Sequence, residues 1–233
     1  MTEHYLGHRQ RLRERFKTAG NNGLADYEIL EMFLYLIIPR GDTKPIAKAL
    51  LKKFGNFDAL VQADEKLLQE VDGVGPSVSH ALKVYQAMMQ RHLKGKIIKK
   101  PVLSSWDEII TYCEVCMAYS IREELRLLFL DKKNCLIHDE VTQVGTVDQV
   151  PFYVREILKR ALDWGASGLI LVHNHPSGDA TPSFLDVQLT RQIIDASKHM
   201  GISVLDHVVV GKGQCYSIRS LGVFEEADIS PET

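Results

Sequence analysis

The passage from Gly168 to Gly201 restricts the fold more than any other part of the chain. Gly168-Leu169-Ile170-Leu171-Val172 is a short apolar run, partly β-branched, and reads as a buried strand. Alternate side chains of an extended chain share a face, so His173 and His175 point the same way at the strand's end. Pro176-Ser177-Gly178 and Thr181-Pro182 are loop signals. Ser183 then opens a helical pattern with Leu185, Leu189, Ile193 and Ile194 on one side, and Gly201 closes it. Asp186 falls in the first turn of that helix, where a carboxylate suits the dipole and can be aimed back at the strand end.

Two imidazoles and a carboxylate on a strand terminus and a helix start form a ligand set suited to zinc, and three protein ligands leave a fourth position for water. Each residue alone has a plainer role. Ser183 and Asp186 have the spacing of a capping box, and the histidines can hydrogen-bond their own turn. Together, beside a strand, they point to a metal centre of the open, catalytic kind.

The pattern His173-x-His175 followed by Ser183-x-x-Asp186 resembles the signature of the JAMM (MPN-type) zinc metalloproteases. The run His173-Asn174-His175-Pro176-Ser177-Gly178-Asp179 is closer still to bacterial RadC-like proteins. The likeness extends through Leu127-Leu128-Phe129-Leu130-Asp131, Gly145-Thr146-Val147, Arg155-Glu156-Ile157 and Leu205-Asp206-His207, over residues 102 to 225. It implies a cytidine-deaminase-like α/β sandwich with zinc as cofactor, held by His173, His175 and Asp186. It also implies a glutamate as general base before an early apolar strand. Within Glu123-Glu124-Leu125-Arg126-Leu127, Glu124 fits that place and Glu123 is the alternative. Zinc would lower the pKa of a bound water towards about 7, the glutamate would carry its proton to the leaving amine, and Ser183 would donate to the oxyanion. The implied reaction is hydrolysis of a peptide or isopeptide bond in a peptide or protein substrate.

Charge divides the chain. Residues 1–100 carry 17 Lys and Arg against 11 Asp and Glu, and the remainder carries 11 against 19. Such polarity predicts two domains with different partners. The basic stretch Arg91–Pro101 reads as a helix end and linker, which places a helical domain at 1–100, the hydrolase-like domain at 101–225 and an acidic tail at 226–233. In the first domain Ala47, Leu50, Leu51 and Phe54 recur at helical spacing after Pro45, and Asp64 is an N-cap before Leu67 and Leu68. Val71-Asp72-Gly73-Val74-Gly75-Pro76-Ser77 resembles the helix-hairpin-helix motif. That likeness implies a DNA contact in which backbone N–H groups of Gly73 and Gly75 approach a phosphate, with Lys83 opening the basic stretch beyond. Ser77 stands where the motif is often basic.

In the second domain a helix from Trp106 carries Cys113 and Cys116. Glu124–Leu130 and Cys135–Val144 read as strands joined by the turn Asp131-Lys132-Lys133-Asn134. A helix over Tyr153–Trp164 and a closing strand over Ile202–Val210 complete an α/β order. Asp206 and His207 lie in that strand, where they are structural or orient a ligand histidine. No apolar run reaches the ~18 residues of a membrane span, and the first residues lack a signal-peptide core. The four cysteines, Cys113, Cys116, Cys135 and Cys215, lack the second close pair of a four-thiolate site and suit a reducing cytoplasm. Two other classes compete: a DNA repair or recombination factor acting through the hairpin, and a metal-free scaffold. A nuclease reading of His173-Asn174-His175 fails on spacing.

Overall fold

The computed structural model describes residues 7–144 and 153–224. Gly145-Thr146-Val147 and the acidic tail lie outside the described residues. The chain forms two compact units, Met1–Met88 and Met89–Thr233. The division falls inside one continuous helix rather than at the basic segment before Pro101, because that segment stays helical to Ile97.

The first unit holds α1 (His8–Ala19), α2 (Asp26–Leu34), α3 (Lys44–Phe54), α4 (Phe57–Gln62), α5 (Glu65–Gln69) and the start of α6 (Pro76–Ile97). Leu30 and Leu34, Ala47 and Leu50, Leu60, Leu68, and Val78 and Leu82 put apolar residues from all of α2–α6 into one core. Asn56 and Asp64 cap α4 and α5, accepting the N–H groups of Ala59 and Lys66, which satisfies donors that a helix start leaves free.

The second unit continues with α7 (Trp106–Met117), β1 (Glu124–Leu130), β2 (Leu136–Val144), α8 (Val154–Asp163), β3 (Gly168–Asn174), α9 (Phe184–Lys198), β4 (Ser203–Val210) and β5 (Cys215–Ser217). Among the described residues five strands lie in the order β2-β1-β3-β4-β5, with β3 and β4 the one parallel pair of neighbours. The turn between β1 and β2 closes as its composition requires. Asp131 Oδ1 accepts the N–H groups of Lys133 and Cys135, and Asn134 takes a left-handed φ of 55°.

Period-two alternation divides the sheet's side chains between two helical layers. Leu125, Leu127, Phe129, Leu169 and Leu171 face α8 and α9, packing on Ile157, Leu158, Ala161 and Ile193. Leu128, Leu130, Ile170, Val172, Val208 and Val210 face α7, packing on Ile109, Tyr112, Cys113 and Met117. All seven residues of β3 are buried, as expected of a strand covered on both faces. On α9, Ile193 and Ile194 are buried, but Leu185 is 63 % exposed, so the expected apolar side starts one turn later.

A polar knot interrupts the α7 layer. Asp139, its side chain 1 % exposed, bonds Arg126 of β1 through Oδ2 and pairs with Lys94 from the end of α6 through Oδ1. The Tyr112 hydroxyl donates to Oδ2 at 2.6 Å. Burial raises the Asp139 pKa, but the Lys94 and Tyr112 bonds and the Arg126 charge outweigh it and hold the carboxyl below its ordinary range.

Candidate metal centre

β3 delivers His173 from the face that meets α9, and α9 starts directly over the strand's end. Ser183 and Asp186 form the capping box: Ser183 Oγ accepts the Asp186 N–H, and Asp186 Oδ2 accepts the Ser183 N–H at 2.6 Å. The Ser183 hydroxyl also donates to Oδ2 at 2.6 Å. The cap therefore aims the carboxylate, and both readings of that pair hold together.

His173, His175 and Asp186 converge. His173 Nε2 stands 3.0 Å from His175 Nε2 and 3.3 Å from Asp186 Oδ1, and His175 Nε2 stands 3.5 Å from Asp186 Oδ2. Donors of a tetrahedral zinc ion, with bonds of about 2.0–2.1 Å, stand about 3.4 Å apart. His175 Nδ1 faces the Asp179 carbonyl at 2.8 Å. A carbonyl only accepts, so Nδ1 carries the proton and Nε2 is left for a cation. The donor set fits zinc.

The electrostatics agree. The Asp186 carboxylate raises the His175 pKa against partial burial, with the Asp179 carbonyl adding to it. Burial would raise Asp186, but the neighbouring imidazoles of His173 and His175 and the Ser183 hydroxyl hold it far below the carboxylate range. A field that favours a proton here also favours a metal ion that displaces it.

Of the two glutamates, Glu123 rather than Glu124 stands beside the donor cluster. Leu125 pairs directly with His173 across the β1–β3 ladder, and opposed residues share a face. Glu123, two residues before Leu125, therefore lies on the ligand face and Glu124 on the other. Glu124 Oε1 accepts a bond from Ser120 Oγ at 2.8 Å. Partial burial raises the Glu123 pKa, with the imidazoles of His173 and His175 opposing and the Asp186 charge adding to the rise. Asn174 pins this segment to β3: its Oδ1 accepts the Glu124 N–H at 2.9 Å and its Nδ2 donates to the Arg122 carbonyl at 3.1 Å.

Two further buried residues adjoin the cluster. His207 Nε2 lies 2.7 Å from His173 Nδ1, and His207 Nδ1 lies 2.6 Å from Thr190 Oγ1. His207 thus reaches a histidine of the candidate donor set. Asp206 serves structure, accepting from the His207 and Arg219 N–H groups and the Ser217 hydroxyl. Thr190 gave no sign in the sequence beyond being polar within an apolar helical pattern.

In the first unit, Gly73 has a left-handed φ of 82°, and a Cβ there would meet Ile46 at 2.9 Å, so the glycine serves both the turn and its packing on α3. Gly75 has open space where its Cβ would be. Its carbonyl accepts the Val78 and Ser79 N–H groups as α6 starts. Lys83 is turned inward: its ammonium lies 3.4, 3.2 and 2.8 Å from the carbonyls of Val61, Gln62 and Ala63. Burial lowers its pKa. A cation on the carbonyl end of α4 favours the helix dipole, and that accounts for Lys83 without nucleic acid. No helix among the described residues is long and apolar enough to cross a membrane.

Comparison with known families gives two matches. Residues 103–223 match the RadC-like JAB domain, and residues 41–91 match the helix-hairpin-helix motif.

Proposed function

Because the chain belongs to the RadC-like JAB-domain family, we propose that its second unit is a zinc-dependent hydrolase of peptide or isopeptide bonds. One observation carries this reading: three metal donors converge on a point also faced by a half-buried glutamate with a raised pKa.

His173, His175 and Asp186 would hold zinc, which when bound supplies an acidified water and polarises a carbonyl. Glu123 takes the proton of the attacking water and delivers it to the departing amine nitrogen. A carboxyl raised towards neutrality suits both halves of that transfer. Ser183 stabilises the oxyanion by turning its O–H from Asp186 Oδ2 to the developing charge. His175, braced on the Asp179 carbonyl, and Asp186, braced by its cap, keep their positions through the cycle. Four free cysteines suit a cytoplasmic setting for this chemistry.

The test compares wild type, Glu123→Gln and Glu124→Gln by zinc content and by cleavage of a proteome-derived library of peptides and isopeptide-linked conjugates. Glu123→Gln should keep about one zinc per chain and lose about 10²–10⁴-fold in turnover, while Glu124→Gln stays near wild type. A zinc-free wild type, or normal cleavage by Glu123→Gln, overturns the reading.

The helix-hairpin-helix match favours a second activity alongside the first. We propose that the turn Gly73-Val74-Gly75 and the N-terminus of α6 contact a nucleic-acid phosphate through backbone N–H groups. Weak binding by the whole chain, falling steeply with salt, is the expected result.

A further inference from the structure

Thr190 and His207 are fully buried beside His173 yet supply no ligand atom. Thr190 Oγ1 lies 2.6 Å from the Asp186 carbonyl. The carbonyl can only accept, and a hydroxyl has a single proton, so that proton is spent there. Thr190 Oγ1 must then accept from His207, which places a proton on His207 Nδ1. Neither ring nitrogen of His207 faces a carboxylate, and a second proton would leave a desolvated charge without a bonded counter-ion. Its Nε2 is therefore a bare acceptor. Facing it at 2.7 Å, His173 Nδ1 carries the proton, and His173 Nε2, turned towards His175 and Asp186, does not.

We propose that Thr190 and His207 are positioning residues which fix the tautomer of His173, so that its Nε2 presents a lone pair to a metal ion. The polarity of the whole relay is set at one end by a backbone carbonyl. That carbonyl belongs to Asp186, another ligand, and Thr190 lies one helical turn beyond it. The relay thus ties the tautomer of the strand ligand to the seating of the helix ligand. His207 is held for this purpose by β4, where it pairs in register with Leu171 of β3.

The inference rests on the zinc reading only for the identity of the metal. Thr190→Val keeps the shape of the side chain and removes the hydroxyl, whereas Thr190→Ser keeps the hydroxyl. In the valine variant His207 loses its Nδ1 acceptor, is free to protonate Nε2, and drives the His173 proton onto the ligand nitrogen. Long-range ¹H–¹⁵N spectra of the zinc-free full chain, at mildly alkaline pH, should show His173 and His207 protonated at Nδ1 in wild type and Thr190→Ser. Competition with a chromophoric chelator should show Thr190→Val binding zinc about 10–100-fold more weakly, as for other partners of metal-bound histidines, with Thr190→Ser close to wild type. Wild-type His173 protonated at Nε2, or undiminished zinc affinity in Thr190→Val, overturns the proposal. If wild type binds no zinc, the hydrolase reading falls, and the wild-type tautomer spectrum, which needs no variant to fold, still decides this one.

Discussion

Asp139→Asn tests the knot beneath the sheet. Asparagine keeps the shape and one carbonyl oxygen, which can go on accepting the Tyr112 hydroxyl. It loses the negative charge that Arg126 and Lys94 share. The Lys94 side chain is 34 % exposed and can turn to water, so its loss counts as a surface pair, about 0–1 kcal/mol. The Arg126 side chain is 13 % exposed and has no such escape. Stranding a buried partner costs about 3–5 kcal/mol, and the retained Tyr112 bond favours the lower end. The expected loss is about 3–4 kcal/mol near neutral pH. Both tryptophans, Trp106 and Trp164, lie in the second unit, so urea unfolding followed by their fluorescence reports that unit alone. The pH dependence has a definite sign. A carboxyl depressed in the folded state contributes fully above its unfolded pKa of about 3.9 and less as pH falls through its folded value. The gap between wild type and variant should therefore shrink below about pH 4. A variant within about 0.5 kcal/mol of wild type at neutral pH, or a gap unaffected by acid, refutes the reasoning.

A Cβ on Gly211 would meet the Gly178 carbonyl oxygen at 2.3 Å and the Ala180 nitrogen at 2.9 Å, both backbone atoms. Gly211→Ala should therefore displace the loop whose Asp179 carbonyl braces His175, weakening zinc binding by about tenfold or more and costing about 1–3 kcal/mol. Competition titration and thermal unfolding check this, and unchanged zinc affinity would show that the loop yields without moving the histidine. Lys83→Met should leave low-salt DNA affinity within about twofold, since its ammonium is already bonded to three carbonyls, whereas a phosphate-contacting lysine would take about one unit of the salt slope with it.

The convergence of His173, His175 and Asp186 was legible because its geometry is local. A strand period of two aligns His173 with its neighbours, and a three-residue capping box aims Asp186. Which of Glu123 and Glu124 faces those donors was not, since it depends on the pairing of Leu125 with His173, between segments far apart in sequence. Either parity reads equally well within Glu123-Glu124-Leu125. The inward turn of Lys83 was hidden for a related reason: a run of like charges says nothing of which carbonyls fold beneath it. β5 spans three residues, too few for any period to show. Two helices of the first unit, α3 and α5, were readable from spacing and a cap, as Ala47, Leu50 and Asp64 demonstrate. Its end was not, because α6 runs on through the basic segment that resembled a linker.

The relay from Thr190 to His173 also sets a timetable for a chain made from its N-terminus onward. His173, His175 and Asp186 leave the ribosome before β4, which brings His207, and before Gly211, which lets the His175 loop seat. A nascent chain thus holds every donor atom while either imidazole can still carry its proton on the wrong nitrogen. On the proposed zinc reading, competence to capture metal arrives with the last long strand, when translation of the sheet is nearly over, and early encounters with stray ions find donors not yet committed to receive them.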